Sequence, residues 1–430
     1  MWIFRNIGMV CIVILTSFYF FPFEFTFLPA INTKMAMAGM GLCLLIVQLA
    51  KEYDSVINYD FFVISLWAAG VSLISFFAAV FNNTTDFTYA TYIVSMWVWV
   101  AAAYLVVQVI KAFHGKVTVE LVINYLIAVC VAQCIMALLL DMFQLLRSWV
   151  SLFYDIGMEE QARLAGIGAG LDVAGSRFAA VLIMIVYQMT KKSVVSRKMY
   201  IGLYMLAFVI IAVIGNMISR TTTVGLLISL CYLLYSSQIY RFRLTADMKY
   251  IFMWLLGLLF IFIPVIVCEY QTNPSFQEHF YFGFEGFFSL VEKGRWEVHS
   301  NEILKNMYVF PETLKTWFLG DGYLNNPVNI DPYYTGIIWD GYYQNTDVGY
   351  LRFIFYFGLL GLIPFCIFMC KVCWACIKRN SSYRKLFIMI LLLNFVIWFK
   401  VSTDIFLVFA LFLVVSNEIE NNSDLQEKLV

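Results

Sequence analysis

Four arginines of this chain lie where long apolar segments end, a place where a guanidinium group needs an explanation. They fall at, or just inside, the predicted non-cytoplasmic ends of these segments and are Arg163, Arg220, Arg295 and Arg352. Lys and Arg normally gather on the cytoplasmic side of a membrane protein, and a guanidinium near hydrocarbon is costly unless an anion meets it. Four such residues from separate parts of the chain predict one shared anionic ligand.

The first arginine opens a glycine-rich segment, RLAGIGAGLDVAGSRF, which runs from Arg163 to Phe178. A backbone this permissive can present N–H groups to an anion, and Arg177 adds a second guanidinium near the far end. Arg163 and Arg177 are therefore candidate substrate-binding residues. The alternative for both is a hinge between packed helices, with an arginine whose charged head extends to the interface.

The second arginine, Arg220, stands in a tight predicted turn, GNMISRTTTVG. The three threonines that follow, Thr221 to Thr223, can cap the next helix and offer hydroxyl or N–H groups at its positive end. A helix N-terminus beside an arginine is a suitable phosphate site, so Arg220 is a candidate substrate-binding residue. The alternative is a simple turn that an interfacial arginine anchors.

The third arginine lies in a long polar segment, within LVEKGRWEVHSNEILKNM, which we expect to be helical. Arg295 and His299 are four residues apart, so on one helix they share a face. Arg295 is a candidate substrate-binding residue and His299 a candidate base. A surface histidine without a role is the alternative.

The fourth arginine follows an aspartate in QNTDVGYLRFIFYFGLLG. Asp347 begins an apolar segment and is a candidate catalytic base, whereas capping and the helix dipole alone would also favour an acid there. Arg352 sits five residues into the segment and is a candidate substrate-binding residue. Its alternative is a structural ion pair, with Asp347 as the partner.

Composition determines which elements carry these residues. The chain has 430 residues, of which 62% are hydrophobic and 13% charged, whereas soluble domains are about 45–50% apolar. We predict an all-α polytopic membrane protein with about 12 transmembrane helices and one large, partly helical extracytoplasmic loop. The apolar runs centre on residues 6–22, 34–50, 61–81, 89–110, 121–141, 174–190, 199–218, 222–240, 250–268, 347–370, 386–400 and 404–416. The last two are short and can instead form a re-entrant pair.

The predicted organisation follows from these runs and from the basic residues. Most of the 28 Lys and Arg residues fall on one side, which predicts cytoplasmic N- and C-termini. The expected regions are N-terminal helices 1–141, central helices 142–268 with an interfacial helix early on, the loop domain 269–346, C-terminal helices 347–416 and a polar cytoplasmic tail 417–430. ATP-binding and zinc-protease motifs do not occur, net charge is zero, and we predict no metal, no cofactor and no nucleic-acid partner.

The four arginine-bearing segments, in this order, resemble the O-antigen ligase and Wzy-type polysaccharide polymerase superfamily. The matching features are RLAGIGAGLDVAG, ISRTTTVGLLISL, a loop with RW and then LGDGYL, and TDVGYLRFIFYFGLLG. The resemblance implies a GT-C-like helical fold and a metal-independent glycosyltransferase of the bacterial plasma membrane, which uses undecaprenyl-diphosphate-linked glycans on the outer face. It also implies that Arg163, Arg220 and Arg295 hold the diphosphate. Ligases typically carry a histidine where Asp347 stands, so a polymerase is favoured over a ligase.

The predicted function is transfer of a growing glycan from undecaprenyl diphosphate to the terminal sugar hydroxyl of a new lipid-linked repeat unit. Direct displacement would invert the anomeric configuration, with Asp347 as the base and His299 as the alternative. Expected partners are the lipid-linked oligosaccharide, membrane lipids, a chain-length regulator and a flippase. The other hypotheses are an O-antigen ligase-type transferase and a flippase or exporter of lipid-linked oligosaccharide. The sequence leaves open whether the polymer is lipopolysaccharide O-antigen, capsule or secreted polysaccharide.

Overall fold

A computed structural model describes residues 2–51, 59–154, 163–191, 198–237, 246–326 and 341–415 of the chain. The predicted tail 417–430 lies outside these residues. The described chain consists of helices and one short antiparallel hairpin. It divides into two compact units. Unit 1 comprises Met1–Met37, Tyr104–Trp296 and Val415–Val430, and unit 2 comprises Ala38–Ala103 and Glu297–Val414.

The elements up to residue 189 are α1 (Trp2–Phe20), β1 (Glu24–Phe25), β2 (Leu28–Asn32), α2 (Thr33–Lys51), α3 (Tyr59–Phe81), α4 (Tyr92–His114), α5 (Val119–Met142), α6 (Gln144–Ser151) and α7 (Leu171–Met189). The elements that follow are α8 (Lys198–Ile218), α9 (Thr222–Ser236), α10 (Ala246–Thr272), α11 (Pro274–Lys293), α12 (His299–Asn306), α13 (Leu314–Leu319), α14 (Gly349–Arg379), α15 (Arg384–Ile397) and α16 (Phe406–Val414). Two single 3-10 turns, Tyr343–Asn345 and Ser381–Tyr383, complete them.

Each of the twelve predicted apolar runs carries a helix, and the all-helical membrane class is confirmed. Among the described residues, seven helices are long and apolar enough to cross a membrane, namely α3, α4, α5, α7, α8, α10 and α14. The apolar parts of α1, α2 and α9 are shorter. The predicted count of about twelve spans is therefore not confirmed, whereas a multi-pass membrane protein is.

The last two helices are too short to cross a bilayer singly. α15 has 14 residues and α16 has 9. At a rise of about 1.5 Å per residue they reach about 21 and 14 Å, whereas the hydrocarbon core is about 30 Å thick. These lengths fit the re-entrant alternative better than two separate spans.

The long segment before α14 contains helices of its own, as predicted. α11 begins with an Asn273 cap and a proline at its first position, and it ends at Gly294, whose φ of 68° is left-handed. The prediction of one helix across LVEKGRWEVHSNEILKNM is wrong, because this glycine ends α11 and α12 starts only at His299. A glycine in the left-handed conformation is a common way to end a helix.

The core of unit 1 is α7, which is buried from Ala174 to Met189 and packs against α8 and α9. Close approach needs small residues at the crossing. A Cβ at Gly225 of α9 would collide with the backbone of Ala179, and one at Gly175 would meet Ser219 and Thr221. The turn between α8 and α9 is therefore pressed onto the first turns of α7.

The core of unit 2 is α14, which packs against α3 and α13. It kinks at Gly358, where φ is 64°, and the backbone of Phe318 lies against the missing Cβ. The segment after α13 is fixed by two side chains near the end of α3. Thr84 donates to the Gly322 carbonyl at 2.9 Å, and Asp86 accepts from the Leu324 N–H at 2.9 Å.

Candidate functional site

A carboxylate of α7 binds the turn that carries Arg220. Asp172 Oδ1 accepts a hydrogen bond from Ser219 Oγ at 2.8 Å and a second, short one from Thr221 Oγ1. Both neighbours of Arg220 are thus tied to one acceptor, and the arginine side chain projects from a fixed backbone. No local spacing predicts this bond, which joins residues 47 positions apart in the chain.

The Arg220 guanidinium is bound by α11 in three ways. Its Nε donates to the Phe282 carbonyl at 2.8 Å, its Nη2 lies 2.8 Å from Glu285 Oε2, and its Cζ lies 4.1 Å from the centre of the Phe282 ring. α11 departs from helical geometry at Phe284, between these two partners. The guanidinium is therefore oriented, and its side chain keeps 16% of its surface exposed.

A second guanidinium reaches the same aromatic ring. Arg163 Cζ lies 5.5 Å from the centre of Phe282, within the range of a cation–π contact. Burial lowers the pKa of the Arg220 guanidinium, Glu285 raises it, and the charge of Arg163 lowers it. The structure thus brings together two of the predicted arginines, at one ring, with one carboxylate beside Arg220. We call Arg163, Arg220, Phe282 and Glu285 the guanidinium site.

Sequence reasoning missed Phe282 and Glu285. The signal that could have found them is the helix start NPSFQEHF, because asparagine followed by proline is typical of a helix N-terminus. A helix from Pro274 would have placed Phe282 and Glu285 three residues apart on one face.

The threonines after Arg220 do not form the predicted phosphate site at the start of α9. Thr221 donates to Asp172, Thr222 Oγ1 to the Gly215 carbonyl at 2.9 Å and Thr223 Oγ1 to Asn216 Oδ1 at 2.6 Å. The first N–H groups of α9 are bonded as well, since Thr222 and Thr223 donate to the carbonyls of Ser219 and Arg220. These groups join α8 to α9 instead of capping a helix or facing an anion.

The glycine-rich loop is likewise packed rather than open. Gly166 and Ala169 exchange backbone hydrogen bonds, and the Ile167 N–H donates to Gln133 Oε1 at 3.0 Å. Gly168 has a φ of 65°, and a Cβ there would lie 2.7 Å from the Phe21 carbonyl oxygen. The predicted cradle of N–H groups is wrong for Gly166, Ile167 and Ala169, because their N–H groups donate to acceptors within unit 1.

Three other predicted residues, Arg177, Arg295 and His299, lie in different surroundings. Arg177 is 6% exposed in the interior of α7, with its Cζ 5.6 Å from the Phe21 ring centre. Arg295 is exposed just after the end of α11. His299, in unit 2, is exposed at the first position of α12. The prediction that Arg295 and His299 share one helix face is wrong, since residues 295–298 are not helical.

Unit 2 surrounds Arg352 with protein acceptors. Nη1 donates to Ser402 Oγ at 2.8 Å, and Nη2 donates to Asn325 Oδ1 at 2.7 Å and to the Leu324 carbonyl at 3.3 Å. Asp347 Oδ1 lies 3.5 Å from Nη1, and the Tyr342 ring centre lies 4.4 Å from Cζ. The ion pair with Asp347, which was the structural alternative for Arg352, is therefore present. Arg352 itself is 8% exposed.

No group of three or more His, Cys, Asp or Glu side chains within the described residues could hold a metal ion. The chain matches no protein-family model, no curated protein and no solved structure. The resemblance carried by the four sequence motifs stays a prediction, and the chemistry has to be argued from the geometry.

Proposed function

We propose that this multi-pass membrane protein is a polysaccharide polymerase of the bacterial plasma membrane. It transfers a growing glycan from undecaprenyl diphosphate to the terminal sugar hydroxyl of a new lipid-linked repeat unit on the outer face. Arg163 and Arg220 hold the diphosphate of the donor. Arg295, Arg177 and Arg352 stay predicted substrate-binding residues, and Asp347 and His299 stay the predicted bases.

The observation that supports the proposal best is the convergence of Arg163 and Arg220 on Phe282. Two like charges at one ring repel each other, and burial adds to the cost for Arg220. Among the described residues, no carboxylate forms an ion pair with Arg163. An anion that spans both groups would relieve this repulsion, and guanidinium groups bind phosphate oxygens in paired hydrogen bonds.

This arrangement suits the leaving group of glycosyl transfer. As the bond between the anomeric carbon and the diphosphate breaks, negative charge grows on the departing oxygen. Preoriented cations stabilise such charge without reorganising, and Arg220 is preoriented by the Asp172-bound turn and by Phe282. Asp347 is 18% exposed in its side chain, and the proposal keeps it as the predicted base of unit 2.

The test uses a strain of the native host that lacks this protein and carries a variant copy. Arg220→Lys keeps a positive charge beside Glu285 but loses the planar fork, and Arg163→Ala removes an exposed side chain. We expect both to lose polymer by about 10²–10³-fold. The polymer ladder is measured on gels, and the amount of protein in the membrane is measured in parallel.

The control is Lys305→Ala, which removes an exposed cation of α12. Lys305 is 68% exposed and pairs only with the neighbouring Glu302 among the described residues. Ladders of normal length from both arginine variants would end the proposal. Polymer that stays on undecaprenyl diphosphate would indicate a ligase, and repeat units retained on the cytoplasmic face would indicate a flippase.

A further inference from the structure

One face of α11 carries a second group of polar side chains next to the guanidinium site. Ser275, His279 and Phe282 follow each other at intervals of four and three residues. Residues at these intervals are neighbours on one face of a helix, with Cβ atoms about 5–6 Å apart. His279 therefore lies one turn before the ring that Arg163 and Arg220 share.

The partner of this face is Asp141, in the last turn of α5. His279 Nε2 lies 3.4 Å from Asp141 Oδ1, and Ser275 Oγ lies 3.0 Å from Oδ1 and 2.8 Å from Oδ2. Both members of the pair are largely enclosed, because 14% of the His279 side chain and 18% of the Asp141 side chain are exposed. A carboxylate fixed by a hydroxyl and facing an imidazole is the arrangement that orients a histidine base.

The tautomer follows from the contact. With Asp141 as acceptor, Nε2 carries the proton and the lone pair is left on Nδ1. In the part of the chain that the structure describes, no hydrogen bond occupies His279 Nδ1. The ring thus offers an acceptor atom for the proton of a substrate hydroxyl.

Asp141 of this pair lines a small cavity that Arg163 also lines. Asp141, Arg147 and Arg163 line it together with the loop residues Leu164 to Gly166, and its volume is about 20 Å³. That volume holds about one water molecule. Asp141 and Arg163 therefore face the same space, and Arg163 also contacts Phe282.

We infer that His279, oriented by Asp141, is the general base that takes the proton of the acceptor sugar hydroxyl. The inference rests on the proposed function and replaces Asp347 and His299 as the base. The hydroxyl oxygen forms a bond to the anomeric carbon, and its proton moves to His279 Nδ1. The bond between the anomeric carbon and the diphosphate oxygen breaks, and its electron pair leaves with the diphosphate, which Arg163 and Arg220 hold.

The charged groups around His279 set the expected pH dependence. Asp141 faces it from α5, Arg147 approaches Asp141 from α6, and Arg163 lines the same cavity. On α11 itself, Glu278 is exposed and Glu285 pairs with Arg220. Histidine changes charge between about pH 5 and 8. A base that must be neutral gives a rate that falls as the pH is lowered through this range.

The experiment uses purified protein in liposomes with the lipid-linked repeat unit that accumulates in the deletion strain. Initial rates of chain growth are measured from about pH 5 to 8. We expect His279→Gln to lower the rate by about 10²–10⁴-fold and to abolish the acidic fall. Asp141→Asn removes the charge that favours the protonated ring. In this variant the fall in rate on acidification therefore occurs at lower pH. Glu278→Gln, one residue away and exposed, is the matched control and keeps both rate and profile.

A merely structural bond between α5 and α11 would lower the rate without moving the profile. That result for Asp141→Asn, or a normal rate and profile for His279→Gln, overturns the inference. If His279→Gln does not fold, the shift in Asp141→Asn decides. Loss of the acidic fall in His299→Gln instead would make His299 the base. The proposed function fails separately, if wild-type protein makes no polymer or if Arg163→Ala and Arg220→Lys both make it normally.

Discussion

Two arginines, one in each unit, have the same kind of partners but different numbers of them. Arg220 lies 4.1 Å from the ring of Phe282 and pairs with Glu285 at 2.8 Å. Arg352 lies 4.4 Å from the ring of Tyr342 and pairs with Asp347 at 3.5 Å. Each also donates to a backbone carbonyl. From the sequence both were candidates for the same ligand.

The difference lies in what else each guanidinium meets. Arg352 also donates to Ser402 and Asn325, which come from opposite sides of it in the chain. Arg220 instead shares the Phe282 ring with a second cation, Arg163. A guanidinium surrounded by protein acceptors stabilises the fold, whereas one beside a like charge retains capacity for an anion. The comparison favours a structural role for Arg352 and a binding role for Arg220.

The largest expected effect is on thermal stability. It sharpens the comparison because Arg352→Lys and Arg220→Lys should differ in it. One ammonium cannot reach the acceptors that the Arg352 fork joins, and each buried acceptor left without a donor costs about 1–3 kcal/mol. Arg220→Lys keeps its charge beside Glu285 and loses less. We expect a clearly lower thermal unfolding temperature for Arg352→Lys only, measured in detergent by fluorescence. A fall of equal size in both variants would remove the distinction between the two sites.

The next effect is on activity, through the turn that carries Arg220. Asp172→Ala removes the acceptor shared by Ser219 and Thr221, so the guanidinium loses its fixed position. A displacement of about 1 Å can reduce a rate by about 10²-fold, and we expect a loss of this order in the liposome assay. Ser219→Ala, which leaves the Thr221 bond in place, is the milder control. An unchanged rate in Asp172→Ala would show that the turn needs no such support.

The sequence predicted the helices well, because apolar runs determine where helices form in a membrane protein. It also predicted that Arg163 and Arg220 share one ligand, since both stand beside predicted turns at the non-cytoplasmic ends of apolar runs. It did not predict that the N–H groups of those turns are used internally. Gln133 binds the loop at Ile167 from 34 residues away, and such pairing leaves no trace in local spacing.

The polar face of α11 escaped prediction for a related reason. Its residues stand in the segment PSFQEHFYFGFEGFF. The many aromatic residues of this segment are also expected where a loop simply packs against the protein. The role inferred for His279 depends on its contact with Asp141, which is 138 residues away in the chain. His299, by contrast, drew attention through its spacing from Arg295, but Gly294 ends the helix that would have aligned them. From sequence alone, a single glycine that ends a helix is hard to distinguish from one within a helix that aligns the residues on either side.

The smallest effect concerns Glu285, the one carboxylate paired with the guanidinium site among the described residues. If the site binds a diphosphate, Glu285 repels it and competes for Arg220, so Glu285→Gln should bind more tightly while its amide oxygen still accepts from Nη2. Because ion pairs near a surface contribute about 0–1 kcal/mol, we expect a two- to five-fold gain or less. Binding of undecaprenyl diphosphate in nanodiscs is measured by native mass spectrometry, with undecaprenyl monophosphate as the comparison. Weaker binding would show instead that Glu285 positions Arg220, which would make the two arginines of this comparison more alike than their surroundings indicate.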